Sequence, residues 1–173
     1  MTASRRRFLA VSAGALALAG CVGGSEEEPE EDAAEPSVAD WQRIDGATLS
    51  SSFPMGLYRA GTDEAAAEVH RHKEYGHWHQ MPLELRLEQW HSYDVRVLNT
   101  ELERIPLGED ERHRIEVVRT EDTPADLVDV AVAGRFVDII GRATGRGALV
   151  FRIRTDDGVV FTSPALTVEV SEG

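Results

Sequence analysis

From Pro82 onward apolar and polar residues alternate with period two, and no other feature of the chain limits its possible folds so severely. Leu83, Leu85 and Leu87 alternate with Glu84 and Arg86, Val95 and Val97 with Asp94 and Arg96, and Ile115 and Val117 with Arg114 and Glu116. Successive side chains on a strand point to opposite faces, so such a run buries one face and wets the other. Apolar-rich runs at 127–132, 136–140, 148–153 and 166–170 follow. They are separated by turn formers such as Thr123-Pro124-Ala125-Asp126, Gly134, Gly141, Asp156-Asp157-Gly158 and Ser163-Pro164. Short strands punctuated in this way, with no helix-period pattern among them, predict an all-β, antiparallel β-sandwich of about seven to eight strands over residues 82–173.

The last part of that region carries a resemblance. Val137-Asp138-Ile139-Ile140-Gly141 leads through Gly145-Arg146-Gly147 into Ala148-Leu149-Val150-Phe151, and the chain closes with Leu166-Thr167-Val168-Glu169-Val170. This resembles the C-terminal half of bacterial immunoglobulin-like domains. The resemblance implies an immunoglobulin-like sandwich of the cysteine-free kind, acting as a spacer or binding module.

The N-terminus speaks to location. Ser4-Arg5-Arg6-Arg7-Phe8-Leu9 precedes an uncharged apolar run that ends in Leu18-Ala19-Gly20-Cys21. The run holds about ten residues, whereas a bilayer span needs about 20. Charged start, apolar middle and small-residue end describe an export signal. The segment resembles twin-arginine lipoprotein signals, with Arg5 and Arg6 as the export pair and Leu-Ala-Gly-Cys as a lipobox. That resemblance implies cleavage before Cys21, lipidation of its sulfur, and a domain anchored at the cell membrane facing outside. Residues 21–40 then read as a disordered acidic tether, since Glu26 to Asp32 combine like charges with Pro29 and almost nothing apolar.

Acidic residues outnumber basic ones 31 to 18, for a formal net charge of −13, and Lys73 is the only lysine. Loss of the signal would remove three arginines and make the chain more acidic still. Such a surface repels nucleic acid, which is excluded as a partner. The composition resembles that of proteins from extremely halophilic archaea; at molar salt the Debye length is only about 3 Å, so self-repulsion is screened. Cys21 is the single cysteine. Once lipidated it cannot serve as nucleophile, disulfide partner or metal thiolate, which excludes cysteine hydrolases, thiol redox enzymes, iron–sulfur and blue-copper sites. No Gly-x-Gly-x-x-Gly or phosphate loop is present, so nucleotide is excluded too, and no Gly-x-Ser-x-Gly or His-Glu-x-x-His motif points to an enzyme.

Residues 41–81 show no sustained period and read as an irregular His-rich part, with a short helix possible from Asp63. Five of the six histidines fall between His70 and His91. His70-Arg71-His72 and His77-Trp78-His79 flank Lys73-Glu74-Tyr75-Gly76. As a hairpin with a four-residue turn, this places His72 opposite His77 and His70 opposite His79, with all four imidazoles on one face and Trp78, Val69 and Arg71 on the other. Four neutral imidazoles so arranged can close on a divalent transition metal: zinc, copper or nickel. Glu68 and Glu74 are candidates for additional ligands or for orienting the rings. As a helix over 63–73 the same residues fail, because His70 and His72 then lie about 200° apart. Solvated or packed histidines without a ligand are the plain alternative. The expectation for the whole chain is therefore a lipid-anchored binding module, not an enzyme, that captures a metal through His70, His72, His77 and His79. A transporter or other envelope protein is its expected partner. The rival is a structural or protein-interaction domain of the envelope with no ligand of its own. Trp41, Trp78 and Trp90 are candidates for an aromatic binding surface, but two or more of them are expected in the core.

Overall fold

The computed structural model describes residues 43–72 and 75–173, so Arg5, Arg6, Cys21, the tether and Trp41 lie outside the described residues. Among the described residues there are thirteen strands and no helix. They are β1 (Arg43–Ile44), β2 (Ala47–Thr48), β3 (Met55–Arg59), β4 (Ala65–Arg71), β5 (Gly76–His79), β6 (Leu83–Arg86), β7 (Trp90–Val97), β8 (Arg114–Arg119), β9 (Val128–Ala133), β10 (Phe136–Gly141), β11 (Gly145–Thr155), β12 (Gly158–Thr162) and β13 (Leu166–Ser171).

One sheet has six strands in the order β5-β4-β3-β7-β10-β9. In a second, the long β11 pairs with β8 along one side and with β13 and β12 along the other, and β6 joins β13 as a parallel edge; β1 and β2 form a separate two-stranded sheet. All other strand pairs are antiparallel. The inward side chains of both sheets form one buried cluster that includes Leu57, Val69, Val95 and Ile139 from the first and Leu85, Leu149, Phe151 and Val168 from the second. The fold is the all-β sandwich that the alternation predicts.

The hairpin turns follow sequence chemistry. In β9–β10, Ala133 pairs with Phe136 across Gly134-Arg135, and Gly134 takes φ 61°. In β11–β12, Thr155 pairs with Gly158 across Asp156-Asp157. Both connections are tight and place a glycine at positive φ, Gly134 within the first and Gly158, at φ 135°, just after the second.

Residues 82–173 hold eight strands, β6 to β13, in keeping with the seven to eight expected there. Two expectations are corrected. Residues 43–81 are not irregular: β3 pairs with β7, and β4 and β5 extend the same sheet, so a boundary at residue 82 cuts through one sandwich. Of the two alternatives left open over 63–73, helix or strand, the strand is found, since Ala65–Arg71 is β4. Burying Ala67 and Val69 against the core outweighs the helix preference of the alanines.

Candidate metal centre

Strands β4 and β5 form the hairpin at one end of the six-stranded sheet. Glu68 pairs with His79, Val69 with Trp78, His70 with His77 and Arg71 with Gly76. The His72 N–H donates to the Tyr75 carbonyl at 2.8 Å. The register therefore differs by two residues from the one expected: His70, not His72, faces His77. Gly76 is a strand residue and not part of a four-residue turn. Closing the strands at His72 and Tyr75 leaves a two-residue connection, the commonest kind in hairpins. A shift of one residue would have turned every side chain over; a shift of two keeps each on its face.

The core decides which face carries the histidines. Ala67, Val69 and Trp78 are buried, and the Trp78 indole N–H donates to the Pro164 carbonyl at 2.8 Å. The Trp78 ring lies 5.8 Å from that of Phe151 in the opposite sheet. Arg71 fastens the hairpin at its side, donating from its guanidinium to the Leu49 carbonyl at 3.0 Å and from its backbone to Ser52. With these residues fixed, His70, His72, His77 and His79 share the other face.

The four rings form one contiguous group. His70 is central, with centroid distances of 4.8 Å to His72, 5.5 Å to His77 and 4.7 Å to His79. His72 and His77 stack at 5.1 Å, and His77 lies 4.9 Å from His79. Ligand nitrogens of His70, His77 and His79 all fall within 4.8 Å of one another. Nitrogens of a tetrahedral zinc site, at metal–nitrogen distances of about 2.0–2.1 Å, lie about 3.3 Å apart. Small ring rotations on an edge hairpin cover that difference. His72 belongs to the ring group but not to this triad.

The electrostatics favour the form a metal needs. Partial burial pushes the His70 imidazole below its ordinary value of 6.5, and the neighbouring His79, His72 and His77 push it further down. A neutral ring is a ligand; a protonated one is not. The carboxylate of Glu68 is engaged elsewhere, accepting the Tyr58 hydroxyl at 2.6 Å. Burial and that hydrogen bond raise the tyrosine to about 12. Glu68 thus spends one carboxylate oxygen on Tyr58 and is not among the converging ligand atoms, and Glu74 lies outside the described residues. The donor set among the described residues is nitrogen alone.

Two aromatic residues complete the surroundings without having been singled out in the sequence. Phe53 lies 5.5 Å from His70 and 5.9 Å from His79, and Tyr75 stacks on His72 at 4.6 Å. Phe53 lies in a stretch that reads as a loop, so only the fold brings it here. The remaining two histidines are elsewhere. His91 accepts the Arg86 backbone N–H through Nε2 at 3.2 Å, and His113 hydrogen-bonds Asp45 at 2.9 Å. Of the two tryptophans among the described residues, Trp78 is core and Trp90, which opens β7, is 61% exposed.

No family model matches the sequence, and no curated protein does. Among solved structures, domains 4 and 5 of the S-layer protein SbsC are similar over 74% of this chain and 97% of that chain, with 8% identity and a TM-score of 0.37.

Proposed function

We propose that this chain is a surface-tethered binding module whose β4–β5 hairpin captures a divalent transition metal. The observation that carries the reading is the convergence of His70, His77 and His79, with ligand nitrogens within 4.8 Å on the outer face of an edge hairpin. Three imidazoles suit zinc, copper(II) or nickel and leave a coordination position open. His72, or a group from a receiving protein, can fill that position. A site built to accept a metal and pass it on needs such an opening.

The location follows from the sequence. Arg5 and Arg6 direct export, Cys21 carries the lipid, and the acidic stretch behind it holds an immunoglobulin-like sandwich off the membrane surface. The acidity suits a halophilic setting. In this reading the partner is a transporter or another envelope protein, and the chain is not an enzyme.

Titration of the untagged chain with zinc, copper(II) and nickel, read by calorimetry and elemental analysis, tests the proposal. One equivalent of at least one metal should bind tightly, and the double variant His77→Ala/His79→Ala should lose it. Stoichiometric binding in that variant would sink the proposal. The packing of Phe53 and Tyr75 on the imidazoles favours a second reading, in which the rings brace an envelope domain that binds no metal. That reading expects no metal uptake and a lowered melting temperature in the same variant.

A further inference from the structure

We propose a second, independent ligand site: a small monocarboxylate binds in the cavity above Asp94, held by Arg104 and Arg135. The cavity measures about 210 Å³, less than the roughly 300–1,000 Å³ of pockets for drug-sized molecules, and so fits a ligand of only a few heavy atoms. Three separate segments build it. Asp94 and Arg96 come from β7, Arg135 from the β9–β10 turn, and Arg104 from the loop that follows β7.

The hydrogen bonds at Asp94 show which donors are spent. Asp94 is buried, with its side chain 6% exposed. Its Oδ2 accepts from the Arg96 Nε at 3.0 Å and its Oδ1 from the Arg135 Nε at 2.9 Å. Each of the three Arg96 nitrogens is engaged, since it also donates to Asp63 at 2.8 Å and to the Thr62 carbonyl at 2.9 Å, and its guanidinium lies over the Tyr58 ring. Arg104 approaches Asp94 only to 3.8 Å and, among the described residues, donates no hydrogen bond. Arg135 uses Nε alone in hydrogen bonding, which leaves its two terminal nitrogens.

Three guanidinium groups thus meet Asp94 and Asp63, and Glu111 lines the same cavity, so the site attracts an anion through the unspent N–H donors of Arg104 and Arg135 and not through excess charge. Planar guanidinium forks match a carboxylate in geometry and hold it by paired hydrogen bonds, which are stronger than neutral ones. Ile105, Pro106 and Leu107 supply an apolar wall for a short hydrocarbon part. Glu111 lines the same cavity, so a second negative charge on the ligand meets repulsion. The combination selects a monocarboxylate over a dicarboxylate or phosphate.

Butyrate, succinate and inorganic phosphate, titrated into the full chain at constant ionic strength and followed by calorimetry, test the assignment. Butyrate should bind saturably at one site, with succinate and phosphate at least tenfold weaker. Arg104→Gln should weaken butyrate at least tenfold. This variant leaves Asp94 both of its hydrogen-bonded partners, and an unchanged melting temperature would verify that the fold survives. The His77→Ala/His79→Ala variant should bind butyrate as the parent does. No saturable butyrate binding, equal affinity for phosphate or succinate, or undiminished binding by Arg104→Gln would overturn the proposal.

Discussion

His70 faces His77 across the β4–β5 hairpin, their ring centroids 5.5 Å apart, and His70 also touches the rings of His72 and His79. One side chain therefore sits at the centre of the group, and its loss should matter more than that of any neighbour. A ligand that binds only the native state stabilises it by about 2.7 kcal/mol at a concentration one hundred times its dissociation constant. For a domain of this size that corresponds to a rise in melting temperature of roughly 10 °C. Zinc, copper or nickel should produce such a rise in the parent chain and none in His70→Ala. Scanning calorimetry with and without metal checks both. An equal rise in the two proteins would remove His70 from the site.

The pH dependence has a definite sign. The folded value of His70 lies below its ordinary 6.5, because burial and three neighbouring imidazoles oppose its charge. Between the folded and unfolded values the unfolded chain binds more protons, so stability rises with pH there. The contribution is complete above about 6.5 and is lost as the pH falls through the folded value. Metal should leave over the same acidic range, since each bound ring must be neutral. Imidazole titration by NMR should place His70 below 6.5 in the metal-free protein. A midpoint at or above that value would contradict the geometry.

The strands from β6 onward were legible because each has one wet face. Leu83, Leu85 and Leu87 announce β6 by alternation, and Gly134 and Asp156-Asp157 announce their hairpins. Strand β3 was hidden, because Met55, Gly56 and Leu57 are all buried and show no alternation. In β4 the run Ala65-Ala66-Ala67 reads as helix, and only pairing with β3 on one side and β5 on the other overrides it. The histidine face was legible in parity but not in register. Parity depends on which residues are apolar, whereas register depends on how the loop closes. Neither Phe53 beside the imidazoles nor Arg104 and Arg135 beside Asp94 carried a local signal, because long-range sheet pairing brings each into place.

Asp94 balances more charge than any other buried residue in the sandwich. Asp94→Asn keeps the shape but leaves Arg96, which is 12% exposed at its side chain, with Asp63 as its only carboxylate. Removing one partner of a buried pair costs about 3–5 kcal/mol. Arg104 and Arg135 are half-exposed and regain water, so the lower end is expected, about 3 kcal/mol. Urea unfolding should show that loss with an unchanged slope. A change below about 0.5 kcal/mol, the usual size for surface substitutions, would mean that the arginines are held without Asp94.

Gly147 tests the packing of β11 against the loop that precedes β9. A Cβ at this position would lie 2.5 Å from the Thr123 Cγ2 and 2.7 Å from the Leu127 Cδ2. Neither neighbour moves freely: the Thr123 hydroxyl accepts the Ala148 N–H at 2.7 Å and donates to the Ala148 carbonyl at 3.0 Å, and Leu127 is buried. Gly147→Ala should therefore destabilise by about 1–3 kcal/mol, as overpacking does. Metal and butyrate binding should be unaffected, since neither site includes these residues. A neutral effect in thermal unfolding would show that the loop yields.

Trp78 couples the histidine face to the core, and its substitution should be felt at both. It is 2% exposed, donates its indole N–H to the Pro164 carbonyl, and lies against Phe151. The Ser163 hydroxyl also donates to that carbonyl at 2.8 Å, so the oxygen keeps one partner in Trp78→Phe. The cost then combines one hydrogen bond with a modest loss of packing, about 1–2 kcal/mol. Trp78→Ala adds a large cavity and should cost about 3–5 kcal/mol. Strand β5 is an edge, held by β4 alone, so the cavity should loosen His77 and His79 and weaken metal binding in proportion. Denaturant unfolding and metal titration of the two variants together check the coupling. Undiminished metal affinity in a folded Trp78→Ala protein would show that the hairpin holds its imidazoles without help from the opposite sheet.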